Sequence, residues 1–261
     1  MYNNSSAAMA LPTLAATPLQ PEFLPLVHDV RASLVSTLGA RLHSLYLYGS
    51  VARATAQAGC SDLDLSLVLT GPLEPEEQQV LEQLRLQLQE RHPVVSKIDF
   101  DLGELAQVLA PAQRDSWGYW LKHECRCLYG EDLAAGFAVF APSPAIARAL
   151  NGDYAQTLAD YGRRIARAGM PEQRLRLQKE AARKLIRATN VLRTEGESHW
   201  PGSLEDYVAS LARRHPEMAA QMEFFLCEAR TPDVEGRIFL ERLAAFTQWL
   251  QQCERAGQAA Q

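Results

Sequence analysis

The run Asp62-Leu63-Asp64-Leu65-Ser66-Leu67-Val68-Leu69 constrains this chain more than any other. Leu63, Leu65, Leu67 and Leu69 recur with the period of a β-strand that buries one face. The alternate positions open with two carboxylates. Residues two apart on a strand point to the same side, about 6.6 Å apart along the chain, so Asp62 and Asp64 face one volume. Two anions that close repel each other unless a cation or water stands between them. The pattern therefore predicts a strand anchored by leucines that offers hard oxygen ligands. Mg²⁺ suits such a site, because it completes its octahedron with water and phosphate oxygens.

The residues just before this run supply a complementary half. Ser44 to Tyr48 reads as a strand stopped by Gly49, and Ser50 to Ala58 as two helical turns with Ser50 as N-cap. Glycine lets backbone approach an anion closely. A helix start aims free N–H groups and a positive dipole end at whatever precedes it. The Ser50 hydroxyl and Arg53, one turn on, add donors for phosphate oxygens. A third carboxylate is expected on the strand read from Val94 to Leu102, where Asp99 and Asp101 share a face. Asp99 is the choice and Asp101 the reserve. Its role would be to bind a second metal ion, to take a proton from an acceptor hydroxyl, or both.

The rest of the chain frames this centre. Apolar spacing predicts a helix over Pro21–Leu42, and a polar amphipathic helix over Pro75–Arg91 that begins at proline. After about Pro142 strand signals vanish. Helical periodicity runs through Ala145–Ala168, Gln173–Thr194, Leu204–Arg214, Glu217–Cys227 and Val234–Gln252, punctuated by prolines. The expected fold class is α+β: a small mixed-sheet domain over 21–141, then an all-α helical-bundle domain over 142–261. A loose tail is expected over 1–20. With 261 residues and 47% hydrophobic composition, the chain can build real cores. A net charge of -5 gives no global pull toward nucleic acid or an anionic membrane, so any anion site must be local. No apolar run approaches the roughly 20 residues that span a bilayer. The start has no signal-peptide pattern, and five cysteines make an odd number, so a reducing cytoplasm is expected. His123, Cys125 and Cys127 lack the second cluster that a structural zinc site needs. Tyr129 to Asp132 reads as a turn.

Gly49-Ser50-x-Ala52-Arg53 followed by Ser61-Asp62-x-Asp64-Leu65 resembles the signature of the DNA polymerase beta-like nucleotidyltransferase superfamily. One departure is Ala54, where many members carry glycine. The resemblance implies a small mixed sheet with helices, an NTP substrate and Mg²⁺. It places Gly49, Ser50, Arg53 and Ser61 at the nucleotide and Asp62, Asp64 and Asp99 at two metal ions. The whole chain is most similar to the aminoglycoside adenylyltransferases, which pair this domain with a helical one. That similarity implies Asp99 as catalytic base and Trp117-Gly118-Tyr119-Trp120 as part of an acceptor cleft. A lysine that those enzymes carry would fall near Gly202 or Ser203, where this chain has none.

In the helical half, Arg176, Lys179, Arg183 and Arg187 form one stripe, beside an apolar stripe of Ala182, Leu185, Ile186 and Thr189. Lys179 and Arg183 are expected nucleotide contacts. Arg163, Arg164 and Arg167 extend the basic region toward an RNA-binding alternative, but interleaved aromatics are thin. The leading expectation is AMP transfer from ATP, or from another NTP, to a hydroxyl of a small acceptor such as an aminoglycoside, releasing pyrophosphate. The alternatives are a protein or RNA acceptor, or a non-catalytic antitoxin or regulatory module that binds nucleotide. Nucleic acid is not favoured as partner, and no membrane contact is expected.

Overall fold

A computed structural model describes residues 10–14 and 16–259. The chain divides into two compact units, residues 10–140 and residues from 141 onward. The expected α+β class holds, with a four-stranded mixed sheet in the first unit and helices in the second.

The first unit opens with α1 (Leu24–Leu38), β1 (Leu42–Tyr48), a single helical turn α2 (Gly49–Ala52) and β2 (Leu63–Leu69). It continues with α3 (Pro75–Arg91), β3 (Ile98–Glu104), α4 (Leu105–Val108), α5 (Tyr119–His123) and β4 (Arg126–Gly130). The strand order is β3-β2-β1-β4. β1 runs antiparallel to both β2 and β4, while β2 and β3 are parallel, with α3 as their crossover. α3 begins with a capping box between Glu74 and Glu77 and has proline in its first turn, which explains its sharp start.

The leucine alternation packs as its period requires. Leu63, Leu65, Leu67 and Leu69 are 0–2% exposed and join Leu45 and Leu47 of β1 with the apolar faces of α1 and α3. Full burial of one such side chain is worth about 1.5–3 kcal/mol. On the opposite face, Tyr46 and Val68 pack with Val108, Leu121 and Cys125. β2 is therefore covered on both sides over most of its length, and Asp64 lies where that cover stops.

Several expectations give way. Within the stretch expected as a loose tail, among the described residues 10–14 and 16–20, Leu11 is buried, its N–H donates to the Phe140 carbonyl, and Arg126 donates to the Thr17 carbonyl. Residues 1–9 lie outside the described residues. Ser50 is not an N-cap, and no helix reaches Ala58. Tyr48 occupies the N-cap position, and Ala54 turns the chain with φ +55° after one helical turn. The strand expected from Val94 starts only at Ile98, because the Val95 N–H bonds back to the His92 carbonyl in a turn. β4 covers residues partly read as a turn, and Gly130 ends it with φ +80°, where a Cβ would stand 2.0 Å from the His43 carbonyl oxygen.

The second unit consists of α6 (Pro144–Asn151), α7 (Tyr154–Arg167), α8 (Pro171–Ala188), α9 (Leu204–Arg214), α10 (Ala219–Arg230) and α11 (Gly236–Ala259). One helix was expected over Ala145–Ala168, but the chain breaks at Gly152-Asp153 into α6 and α7. Leu158, Ile165, Leu185, Ile186, Phe225, Phe239, Phe246 and Leu250 form its core. Within that core Gln178 donates to the buried carboxylate of Glu228 at 3.2 Å, which ties α8 to α10. No described helix is long and apolar enough to cross a membrane.

Candidate active site

Strand register brings the acids together. Tyr48 on β1 pairs with Asp64 on β2, and Asp64 pairs with Asp99 on β3; one step further, Ser66 pairs with Asp101. Partners across a ladder project to the same face. Tyr48, Asp64, Asp99 and Asp101 therefore lie on the face opposite the leucines, with Asp62 just before β2.

Gly49 shows how tightly this corner is built. Its φ is +74°, and a Cβ there would lie 2.1 Å from Asp64 Oδ2. Only glycine permits both the left-handed backbone and the close approach of that carboxylate. The glycine brings the turn of α2 directly against the acid. Among the described residues the Ser50 hydroxyl, at the start of this turn, has no hydrogen-bond partner.

The Asp64 carboxyl is pushed up to about 7, first by burial and then by Asp62, Asp99 and Asp101 around it; Lys97 acts in the opposite direction. Burial disfavours the charged form, and like charges add to that. The Tyr48 hydroxyl is driven far above its ordinary value by burial and by the charge of Asp101, Asp64 and Asp99. It stays protonated and donates to Asp101 Oδ2 at 2.6 Å. Trp120 packs edge-on against Tyr48, with ring centroids 4.9 Å apart, and donates from Nε1 to Ser66 Oγ at 3.3 Å. Tyr119 is buried and donates to Glu124 at 2.9 Å, and Trp117 covers Gly103 of β3.

The acids do not form the three-ligand set expected of Asp62, Asp64 and Asp99. Among the described residues no three His, Cys, Asp or Glu side chains are gathered to hold a metal ion. Each neighbour of Asp64 is engaged elsewhere. Asp62 accepts from Ser96 Oγ at 2.5 Å, Asp99 is ion-paired with Lys97 at 2.8 Å, and Asp101 accepts from Tyr48. The donor chemistry still fits Mg²⁺, which is commonly held by one or two carboxylates plus phosphates. The high position of Asp64, with like charges on three sides, is the electrostatic signature of a corner short of positive charge.

Two other expected contacts have local partners. Arg53 forms an ion pair with Glu124, and Ser61 Oγ accepts from the Gln57 N–H, closing the loop before Asp62. In the second unit the Arg183 guanidinium donates to the Ala229 carbonyl at 3.2 Å, whereas Lys179 has no bonded partner among the described residues. Ser203, near where the family lysine would fall, caps α9 in a capping box with Asp206. His123 uses both ring nitrogens, one with the Pro12 carbonyl and one accepting from the Phe140 N–H, so it has none for a metal. Sequence reasoning missed Tyr48, Ser96, Lys97 and Glu124. Their only signal was nearness to the motif residues in the chain or in the sheet.

No protein-family model matches the sequence, and no curated protein matches it significantly. Solved structures do match. One is the spectinomycin adenyltransferase AAD(9) from Enterococcus faecialis, crystallised with ATP and spectinomycin. The TM-score is 0.62 at 13% sequence identity, and the match covers 88% of this chain and 98% of that one. The chain thus shares the fold of that adenyltransferase along nearly its whole length.

Proposed function

We propose that the protein is a magnesium-dependent nucleotidyltransferase that moves AMP from ATP onto a hydroxyl of a small acceptor, an aminocyclitol or aminoglycoside, and releases pyrophosphate. One observation carries this reading. Asp64 and Asp99 stand side by side on β2 and β3, with Asp64 against a glycine turn that only a missing side chain allows, in a chain with an adenyltransferase fold.

The residues divide the chemistry as follows. Asp62 and Asp64 would hold Mg²⁺, with Asp99 joining on a second ion. Bound there, the ions would neutralise charge on the acceptor oxygen that attacks and on the pyrophosphate oxygen that leaves. The Ser50 hydroxyl and the N–H groups of α2 donate to the terminal phosphates, and Gly49 allows them to come close. Asp99 accepts the proton of the acceptor hydroxyl as its oxygen bonds to the α-phosphorus and the bond to pyrophosphate breaks. Tyr48 and Trp120 form a rigid wall beside the reacting oxygens. The acids on β3 suit a cationic acceptor.

Incubation with α-labelled ATP and Mg²⁺ against spectinomycin, other aminoglycosides, tRNA and proteins tests this. Label on an aminoglycoside class supports the proposal. Label on RNA or protein moves the acceptor to the alternative class. No transfer and no calorimetric ATP binding overturns the enzymatic reading.

A further inference from the structure

Lys97 is the cation bonded to the acid cluster. Its ammonium sits 2.8 Å from Asp99 Oδ2, and both side chains are partly exposed, at 41% and 35%. Its charge is also felt by Asp64. Arg85, the other cation that senses Asp99, is committed elsewhere: it donates to both carboxylate oxygens of Glu82 and to the Ile98 carbonyl. Lys97 comes from the turn before β3, one residue after Ser96, which holds Asp62. One dipeptide, Ser96-Lys97, thus bonds two of the acids around Asp64.

We propose that Lys97 is a built-in counter-ion of the resting site, which holds Asp99 away from the metal position and must release it when divalent cation binds. This rests on the metal-dependent reading above. The physical basis is competition for one carboxylate. Asp62, Asp99 and Asp101 all repel the half-buried Asp64 carboxylate, and a tethered ammonium relieves that repulsion at no cost in translational entropy. A divalent cation does the same with twice the charge, but first has to displace the lysine. Lys97 therefore sets how much Mg²⁺ the protein needs, and it steadies the acid cluster before metal binds.

The inference is tested by titrating the full chain with Mg²⁺ alone, followed by thermal unfolding and by calorimetry. The proteins compared are wild type, Lys97→Met, Lys97→Arg and Asp64→Asn. Without metal, Lys97→Met should melt below wild type. Its Mg²⁺ midpoint should fall about fivefold, the scale of losing one exposed ion pair as competitor. Lys97→Arg should stay near wild type, and Asp64→Asn should lose the response. A wild type that binds Mg²⁺ alongside a Lys97→Met midpoint that is unchanged or higher overturns the counter-ion role and leaves the metal site standing. Absence of any Mg²⁺ response in both proteins overturns the metal-dependent reading and this inference with it.

Discussion

Asp64 is the residue on which most of the chemistry turns, and its environment makes it a liability without a ligand. Its carboxyl, raised from 3.8 to about 7, is easier to protonate in the folded chain than in the unfolded one. Its contribution to stability is therefore fully present below about pH 4 and is lost as pH rises through 7. Asp64→Asn, which carries no charge, should keep that stability at pH 8 and exceed wild type there by about 4 kcal/mol. The gain should vanish near pH 4. Urea unfolding at the two pH values checks this, and turnover should be lost in the same variant. Ala54 is the second telling position. It holds φ +55° with a Cβ, in a region that costs a non-glycine residue about 1–2 kcal/mol. Ala54→Gly should stabilise by about 0.5–1 kcal/mol after allowing for the looser unfolded chain. An unchanged melting temperature would show that the turn carries no strain.

At the scale of elements, β2 is a plank with leucines on one side and the chemistry on the other. Leu67 is fully buried in the leucine core, so Leu67→Ala should cost about 2–5 kcal/mol in chemical denaturation. Ser96→Ala removes the hydroxyl that orients Asp62 and should cut kcat about tenfold with little change in stability, because Ser96 is exposed. Serine at 96 replaced by threonine should restore the rate. These elements also show what sequence can carry. β2 and the bounds of α3 were legible because period-two leucines and an initial proline are local signals. β4 was not, because Arg126–Gly130 has no alternation and its pairing with β1 is a distant contact. The one-turn α2 was overextended, since alanine by itself does not announce a left-handed residue; the glycine that similar sequences carry at that position was the signal. The acids were found by type and spacing. Their partners Ser96, Lys97 and Tyr48 were not, because hydrogen bonds across strands depend on register, which no single segment encodes.

At the scale of the whole molecule, two units with separate cores share one chain, in the fold of an enzyme that handles both ATP and a small acceptor. We propose that Lys179 and Arg183 on α8 bind nucleotide. Lys179→Glu should raise the apparent KM for ATP severalfold and leave kcat close to wild type. Unchanged kinetics would return that stripe to solvent. The match in fold without a match in sequence has a physical origin. Leucine periodicity and helix faces can be rebuilt from many residues, whereas a glycine at φ +74° against a carboxylate can hardly be replaced.

Asp62, Asp64 and Asp99, beside the Gly49-Ser50 turn, are proposed to hold a divalent ion and the phosphates of a nucleoside triphosphate. A crystal structure with Mn²⁺ and a non-hydrolysable ATP analogue tests it most directly. The expected result is anomalous Mn²⁺ density within about 2.0–2.3 Å of an Asp64 oxygen, with Asp99 parted from Lys97 and the terminal phosphates on the α2 turn. Nucleotide bound away from this corner, or an Asp64 carboxylate with no metal at saturating Mn²⁺, would contradict it.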